Sequence, residues 1–219
     1  MHTFLNLYLQ SNNFFFRVFK NNIMNINYPN NINFTAKYKD YSPNIKRLQY
    51  KDKYTYQDEP TSFAEIDCYN ERDMEALKNL SEAWDGALFI QNIYLDAQRA
   101  SDENYTGKNK FYIITEQKDY FDYLDYKKIL AICEINEYKD KEVYLDYIEA
   151  DPKAVCNPFS KYKKIGTALI TCLKHYYNKI RLMSLPYESV LSFYKRNSFS
   201  GINNVCKYHL FWEKKNDNK

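Results

Sequence analysis

The sequence predicts an α/β domain built on a mixed, largely antiparallel sheet flanked by helices. Three observations carry that expectation. Apolar periodicity runs in the order helix, helix, three strands, helix, strand, helix, strand. Strands and helices do not alternate regularly, which excludes a doubly wound dinucleotide-binding fold. The chain has 219 residues, 45% of them hydrophobic, enough for one domain with a sizeable core plus extra segments. Residues 34–215 are read as that single domain, 1–33 as a poorly ordered or non-native extension, and 216–219 as a solvated tail.

In the extension, the apolar runs Phe4 to Leu9 and Phe14 to Phe19 are broken by Gln10, Ser11, Asn12 and Asn13. Neither spans a bilayer or makes a good secretory core, so no integral membrane segment and a cytoplasmic location are expected. Two readings stand: a short amphipathic segment lying on the domain or a membrane surface, or an upstream extension ahead of a start at Met24. The second is the working expectation.

Phe34, Ala36 and Tyr38 alternate with polar residues and predict a short strand. The Lys/Asp alternation of residues 44–59 reads as loop or edge strand. Asn70 caps a helix carrying Met74, Leu77, Leu80 and Trp84 at helical spacing, and Asp85-Gly86 stops it. Phe89, Ile90, Ile93, Tyr94 and Ala97 define a second helix. Strands follow at 111–115 and 129–135, joined by the acidic, Tyr-rich connection 119–125. A charged turn at 137–142 leads into a strand at 143–150, which Asp151-Pro152 ends. After a linker containing Pro158, Ile165, Leu169, Cys172 and Tyr176 line one face of the next helix. A strand at 180–185, a helix at 188–196 and a last strand or hairpin within 202–212 complete the domain.

The chemistry concentrates at 161–168. Gly166 and Thr167 open an apolar helix whose first N–H groups point outward with the positive end of the helix dipole behind them, which makes an anion site. Lys161, Lys163 and Lys164 add point charges suited to phosphate oxygens. The same residues also fit a plain strand-to-helix turn with a hydroxyl cap.

Lys163-Lys164-Ile165-Gly166-Thr167-Ala168-Leu169, followed after a strand by Phe193-Tyr194-x-x-x-Ser198-Phe199, resembles the GNAT N-acetyltransferase family. That family carries a pyrophosphate loop (Gln/Arg)-x-x-Gly-x-(Gly/Ala) and a later Phe-Tyr-x-x-x-Gly-Phe. Two registers fit the loop, one over 163–168 and one over 161–166. The second is preferred because 165–169 then match Ile-Gly-Thr-Ala-Leu without a gap, with Lys164 replacing a glycine. The resemblance covers about residues 70–215 and implies a GNAT-like sheet, with the strand ending near Ala150 splayed from the strand near Ile180 to leave a cofactor cleft. It further implies acetyl-coenzyme A as cosubstrate and an amine acceptor: a small molecule, a polyamine or a protein lysine. Tyr194 would protonate the departing thiolate, Glu149 would deprotonate the amine, and Ile148 and Ala150 would meet the acetyl and pantetheine groups. Lys161, Lys163, Lys164, Ile165, Gly166 and Thr167 would hold the pyrophosphate. With Lys164 and Ser198 in place of glycine, a non-catalytic coenzyme A-binding or interaction module stays open as the alternative.

The rest excludes classes. The formal charge is only +3, with Lys interleaved among Asp and Glu, so nucleic acid is not implied. The five cysteines are widely spaced and lack a Cys-x-x-Cys pair, which indicates neither a disulfide framework nor a zinc site. The 23 Tyr and 14 Phe against 4 Gly look like coding bias and identify no site. A homodimer is compatible with the sequence.

Overall fold

The computed structural model describes residues 36–50, 52–118, 123–155, 160–201 and 207–215. In chain order the elements are β1 (Lys37–Tyr38), β2 (Asn44–Tyr50), β3 (Tyr54–Pro60), β4 (Ser62–Glu65), α1 (Glu71–Ala83), α2 (Ile90–Ala100) and β5 (Asn109–Thr115). After a short 3-10 turn (Tyr126–Lys128) come β6 (Ile129–Lys139), β7 (Glu142–Ala150), α3 (Pro152–Val155), β8 (Tyr162–Lys163), α4 (Ile165–Tyr176), β9 (Lys179–Met183), α5 (Glu188–Arg196), β10 (Ser200–Gly201) and β11 (His209–Glu213). The expected extension, Phe34, Pro158, most of the acidic connection and the tail lie outside the described residues.

The large sheet has the order β1-β4-β5-β6-β7-β9-β11-β10, and a smaller one the order β3-β2-β8. Every pairing is antiparallel except β7 with β9, which is parallel. This is the mixed, largely antiparallel sheet flanked by helices that the order of elements predicts. Phe111 to Ile114 of β5 and Ile129 to Ile135 of β6 are buried throughout, because both faces of these central strands are covered. One face packs Ala168, Leu169, Cys172 and Leu173 of α4 and Leu191 and Tyr194 of α5 onto Tyr112, Cys133 and Leu145. The other packs Leu77 and Leu80 of α1 and Ile93 and Ala97 of α2 onto Phe111, Ile113 and Ile132.

Local chemistry sets the helix ends. Asn70 accepts the N–H groups of Arg72 (2.9 Å) and Asp73 (3.4 Å) and so starts α1. Past its end, Gly86 at φ +87° turns the chain toward α2.

Three sequence expectations are sharpened or shift. Of the two readings of residues 44–59, loop or edge strand, the strand one holds: they form a hairpin of two seven-residue strands, β2 and β3, with β3 at the edge of the small sheet. Their charge alternation is cross-strand complementarity: Lys46 lies directly opposite Asp58 (2.8 Å), and Arg47, opposite Gln57, reaches diagonally to Glu59 (3.2 Å). The charged turn at 137–142 is mostly strand, with pairing running out to Lys139 and Glu142 around Asp140-Lys141, where Lys141 takes φ +54°. β9 stops at Met183, two residues short of the expected end.

Candidate active site

β7 and β9 run together only briefly. Their pairing covers Glu142 to Leu145 against Lys179 to Leu182, and beyond that no strand pairs with this edge of β7 among the described residues. A bulge lies at the parting point: Ile135 faces Leu145 while Glu134 faces Tyr147, so Asp146 is an extra residue in the ladder. One inserted residue flips the side chains that follow it. Val143 and Leu145 point into the α4/α5 core, and beyond the bulge Ile148 and Ala150 pack against that same core. Tyr147 goes to the opposite face, against Phe89 (ring centroids 5.1 Å apart), and so does Glu149.

At the N-terminus of α4, Lys164 occupies the cap position with φ +65° and ψ +17°, and no side chain caps the helix. The first N–H groups, those of Ile165, Gly166 and Thr167, precede the first intrahelical bond, Ala168 N–H to Lys164 C=O (2.9 Å). They form a positive, outward-facing end suited to phosphate. The small sheet holds the approach to this turn. Leu48 N–H donates to Lys161 C=O (2.8 Å), the Tyr56 hydroxyl donates to Ser160 C=O (3.0 Å), and the Tyr162 hydroxyl donates to the Glu116 carboxylate. Lys163 Nζ lies 4.1 Å from the Tyr56 ring, and Lys161 Nζ 3.8 Å from Glu116. Gly166 has its own reason to be small: a Cβ there would stand 3.2 Å from the edge of the Phe193 ring.

On α5, Tyr194 is buried and wedged edge-on between Phe193 (5.1 Å) and Phe199 (5.5 Å). Its hydroxyl makes no hydrogen bond among the described residues, and burial pushes the phenol up from its ordinary range. The helix ends with Phe199 N–H donating to Tyr194 C=O (3.0 Å) and Ser198 at φ +61°, the left-handed closure that glycine favours. Lys164 and Ser198, the two departures from the motifs, are therefore two positions where the backbone enters the left-handed region. That region costs a residue with a Cβ roughly 1–2 kcal/mol. Ser198→Gly is expected to stabilise the fold by about 1 kcal/mol, offset in part by glycine's extra chain entropy. The check is the urea midpoint, which should rise without a change in slope.

Glu149 caps the second helix: its carboxylate accepts the N–H of Phe89 (2.8 Å) and that of Leu88, where no side chain of α2 itself does so. Burial nevertheless pushes its pKa up against those two donors. A structural task and a raised basicity coexist on one group.

The remaining site residues thus fall in two places. Lys161 to Thr167 form the turn and helix start. Ile148, Ala150 and Tyr194 share the core face beside the gap, with Glu149 on the reverse side. Sequence reading left the supporting hairpin open between loop and edge strand, because its alternating charges masked its pairing, and missed the Asp146 bulge, which has no local signal. Cys172 is buried, and desolvation pushes its thiol up, which suits packing and not nucleophilic attack. Among the described residues, no helix is long and apolar enough to cross a membrane.

No protein-family profile and no curated protein matches the sequence. Solved structures do match. An acetyltransferase from Streptococcus agalactiae 2603 aligns at 16% identity and TM-score 0.44, covering 70% of this chain and 97% of the other. A GNAT-family acetyltransferase from Staphylococcus aureus Mu50 aligns at 17% and 0.40, covering 70% and 99%. The PaiA N-acetyltransferase from Thermoplasma acidophilum, solved with coenzyme A, aligns at 18% and 0.40, covering 65% and 94%. In fold the chain resembles these acetyltransferases.

Proposed function

We propose that this protein is an N-acetyltransferase that uses acetyl-coenzyme A and an amine acceptor. The observation that carries the reading is the parting of β7 and β9 at Leu145 on a sheet that also seats an uncapped helix N-terminus. The free edge of β7 offers main-chain N–H and C=O groups to an extended ligand, as an added strand would use them. The N–H groups of Ile165 to Thr167 would hold a pyrophosphate, and the lysines at 161, 163 and 164 would add charge. Acetyl-coenzyme A, when bound, supplies the activated acetyl group.

Glu149 and Tyr194 serve opposite faces of the sheet, so they act on one reacting centre only if it sits in the gap between the strands. There Glu149, whose raised pKa suits a general base, would accept the proton of the attacking amine. Tyr194, a phenol kept protonated by burial, would deliver one to the departing sulfur. The acidic groups on the acceptor side, Glu149 and Asp146, favour a cationic acceptor, a polyamine or a protein lysine above a neutral amine. One observation supports the alternative of a non-catalytic coenzyme A-binding module: Lys164 places a Cβ where the backbone would approach the ligand most closely.

The test is calorimetric titration of the full chain with coenzyme A, which binds the native state and must also raise the melting temperature. Gly166→Ala adds only the Cβ near Phe193 and is expected to keep binding within a few-fold. Gly166→Asp adds a carboxylate at the anion site and is expected to lose binding by about tenfold or more. Equal affinities in the two variants, or no binding by the parent, would remove the phosphate-loop assignment.

A further inference from the structure

A second basic site lies at the other end of α4. Where Tyr176 and Tyr177 leave the helix, a cavity of about 430 Å³ opens between them, the start of β5 and the β6–β7 turn. Five lysines line it, Lys39, Lys108, Lys110, Lys139 and Lys141, against only two acids, Glu137 and Asp140. The helix is 12 residues long, so this cavity is about 18 Å from the N-terminal turn at Lys164 and is a separate place.

The polar groups of its floor are satisfied among themselves. The Tyr112 and Tyr177 hydroxyls are hydrogen-bonded (2.8 Å), Tyr177 donates on to Glu137 (2.8 Å), and Lys110 pairs with Glu137 (2.9 Å). Lys39 is spent on Glu65 at 2.6 Å. The other three, Lys108, Lys139 and Lys141, are exposed and have no acidic partner among the described residues. The negative end of α4 accounts for part of this excess, but a helix terminus carries only about half a charge, and three ammonium groups stand around it. Lys141 is moreover held in place by the chain, in a left-handed turn whose carbonyl accepts the N–H groups of Asn178 (2.8 Å) and Lys179 (3.2 Å).

We infer that this cavity binds a small ligand carrying clustered phosphates, with Lys108, Lys139 and Lys141 as its charge contacts. The volume lies in the range of small-molecule sites. The donors are ammonium groups on flexible stems, which suit phosphate oxygens in several orientations. The inference does not rest on acetyl transfer, and its test needs no acceptor or coenzyme.

The probe is inorganic tripolyphosphate, titrated by calorimetry into the full chain at low and moderate salt. Three variants accompany the parent: Lys108→Ala/Lys139→Ala/Lys141→Ala, Lys108→Ala/Lys139→Ala, which leaves the turn untouched, and Lys161→Ala/Lys163→Ala at the far end of α4. The parent is expected to bind saturably at this cavity, with the N-terminal turn of α4 as a second, separate anion site. The triple variant should weaken binding at the cavity by about tenfold or more and the double variant by less, while the far-end variant, altered only at the other site, keeps the cavity affinity within about twofold of the parent. Melting curves establish that each variant is folded. A triple and a double variant that both bind like the parent, or loss of all binding in the far-end variant, would overturn the inference. So would a parent that ignores tripolyphosphate yet binds a long single-stranded oligonucleotide, since the surface would then be a nucleic-acid interface.

Discussion

Replacing Tyr194 with phenylalanine is expected to leave coenzyme A binding within about twofold and to lower turnover roughly 100- to 10,000-fold. The ring packs between Phe193 and Phe199, and phenylalanine keeps those contacts. The hydroxyl has no hydrogen-bond partner among the described residues, so its removal orphans no other group and should leave the melting temperature within a degree or two. What the variant lacks is a proton. Burial pushes the Tyr194 phenol up from its usual range, with a small addition from the nearby Cys133, so the group is protonated at neutral pH. A leaving thiolate needs such a weak acid within reach, and in the proposed mechanism no other is assigned. Coenzyme A release measured with an accepted amine, beside calorimetry on the same samples, separates the two effects. Full-speed turnover would return the acid role to water, and lost binding would make Tyr194 a packing residue of the cleft.

Glu134→Gln is expected to stabilise the protein, and increasingly so as pH rises. Glu134 on β6 is buried: Asn109 donates to one carboxyl oxygen, and the other has no partner. Burial, with Asp96 on α2 and Asp146 on the β7 bulge nearby, pushes its pKa up to about 8, while Arg99 opposes them weakly. A folded-state pKa above the unfolded value means that the native state holds the proton more tightly. Its contribution to stability is therefore complete below about pH 4.5 and is lost as pH rises through about 8. The loss runs at about 1.4 kcal/mol per pH unit within that window and amounts to a few kcal/mol at its end. Glutamine mimics the protonated form, keeps an oxygen for Asn109 and does not titrate. Parent and variant should match near pH 4, and the variant should lead by a growing margin toward pH 8. Asp73, also pushed up to about 6 by burial, gives the parent a slope of the same sign, which cancels in the difference. Parallel melting curves across the window would show that Glu134 does not hold a proton in the native state.

The order of elements and the faces of the helices were legible because they depend on local periodicity. Leu77, Leu80 and Trp84, or Leu169 and Cys172, fall on one side of a helix whatever lies opposite. The turn that opens α4 was legible for a similar reason, since a helix start followed by Gly166-Thr167 is a local event. Even the preferred register of the loop motif left a local trace: Lys164 and Ser198, read as standing where glycines are usual, both adopt positive φ. The hairpin of β2 and β3 was only half legible, as loop or edge strand, because a polar alternation becomes a paired strand only when Asp58 arrives opposite Lys46 and Glu59 within reach of Arg47.

What the sequence alone determined is the set of elements, the sheet type they make and the residues that open α4. What only the tertiary structure decided is which side of the sheet each group serves. The extra residue at Asp146 turns Ile148 and Ala150 toward Tyr194, and Glu149 toward the start of α2. A strand's side chains alternate with period two, so one unpaired residue reverses everything after it. Whether that residue is unpaired depends on where β6 lies beside it, a long-range pairing that no stretch of β7 encodes by itself.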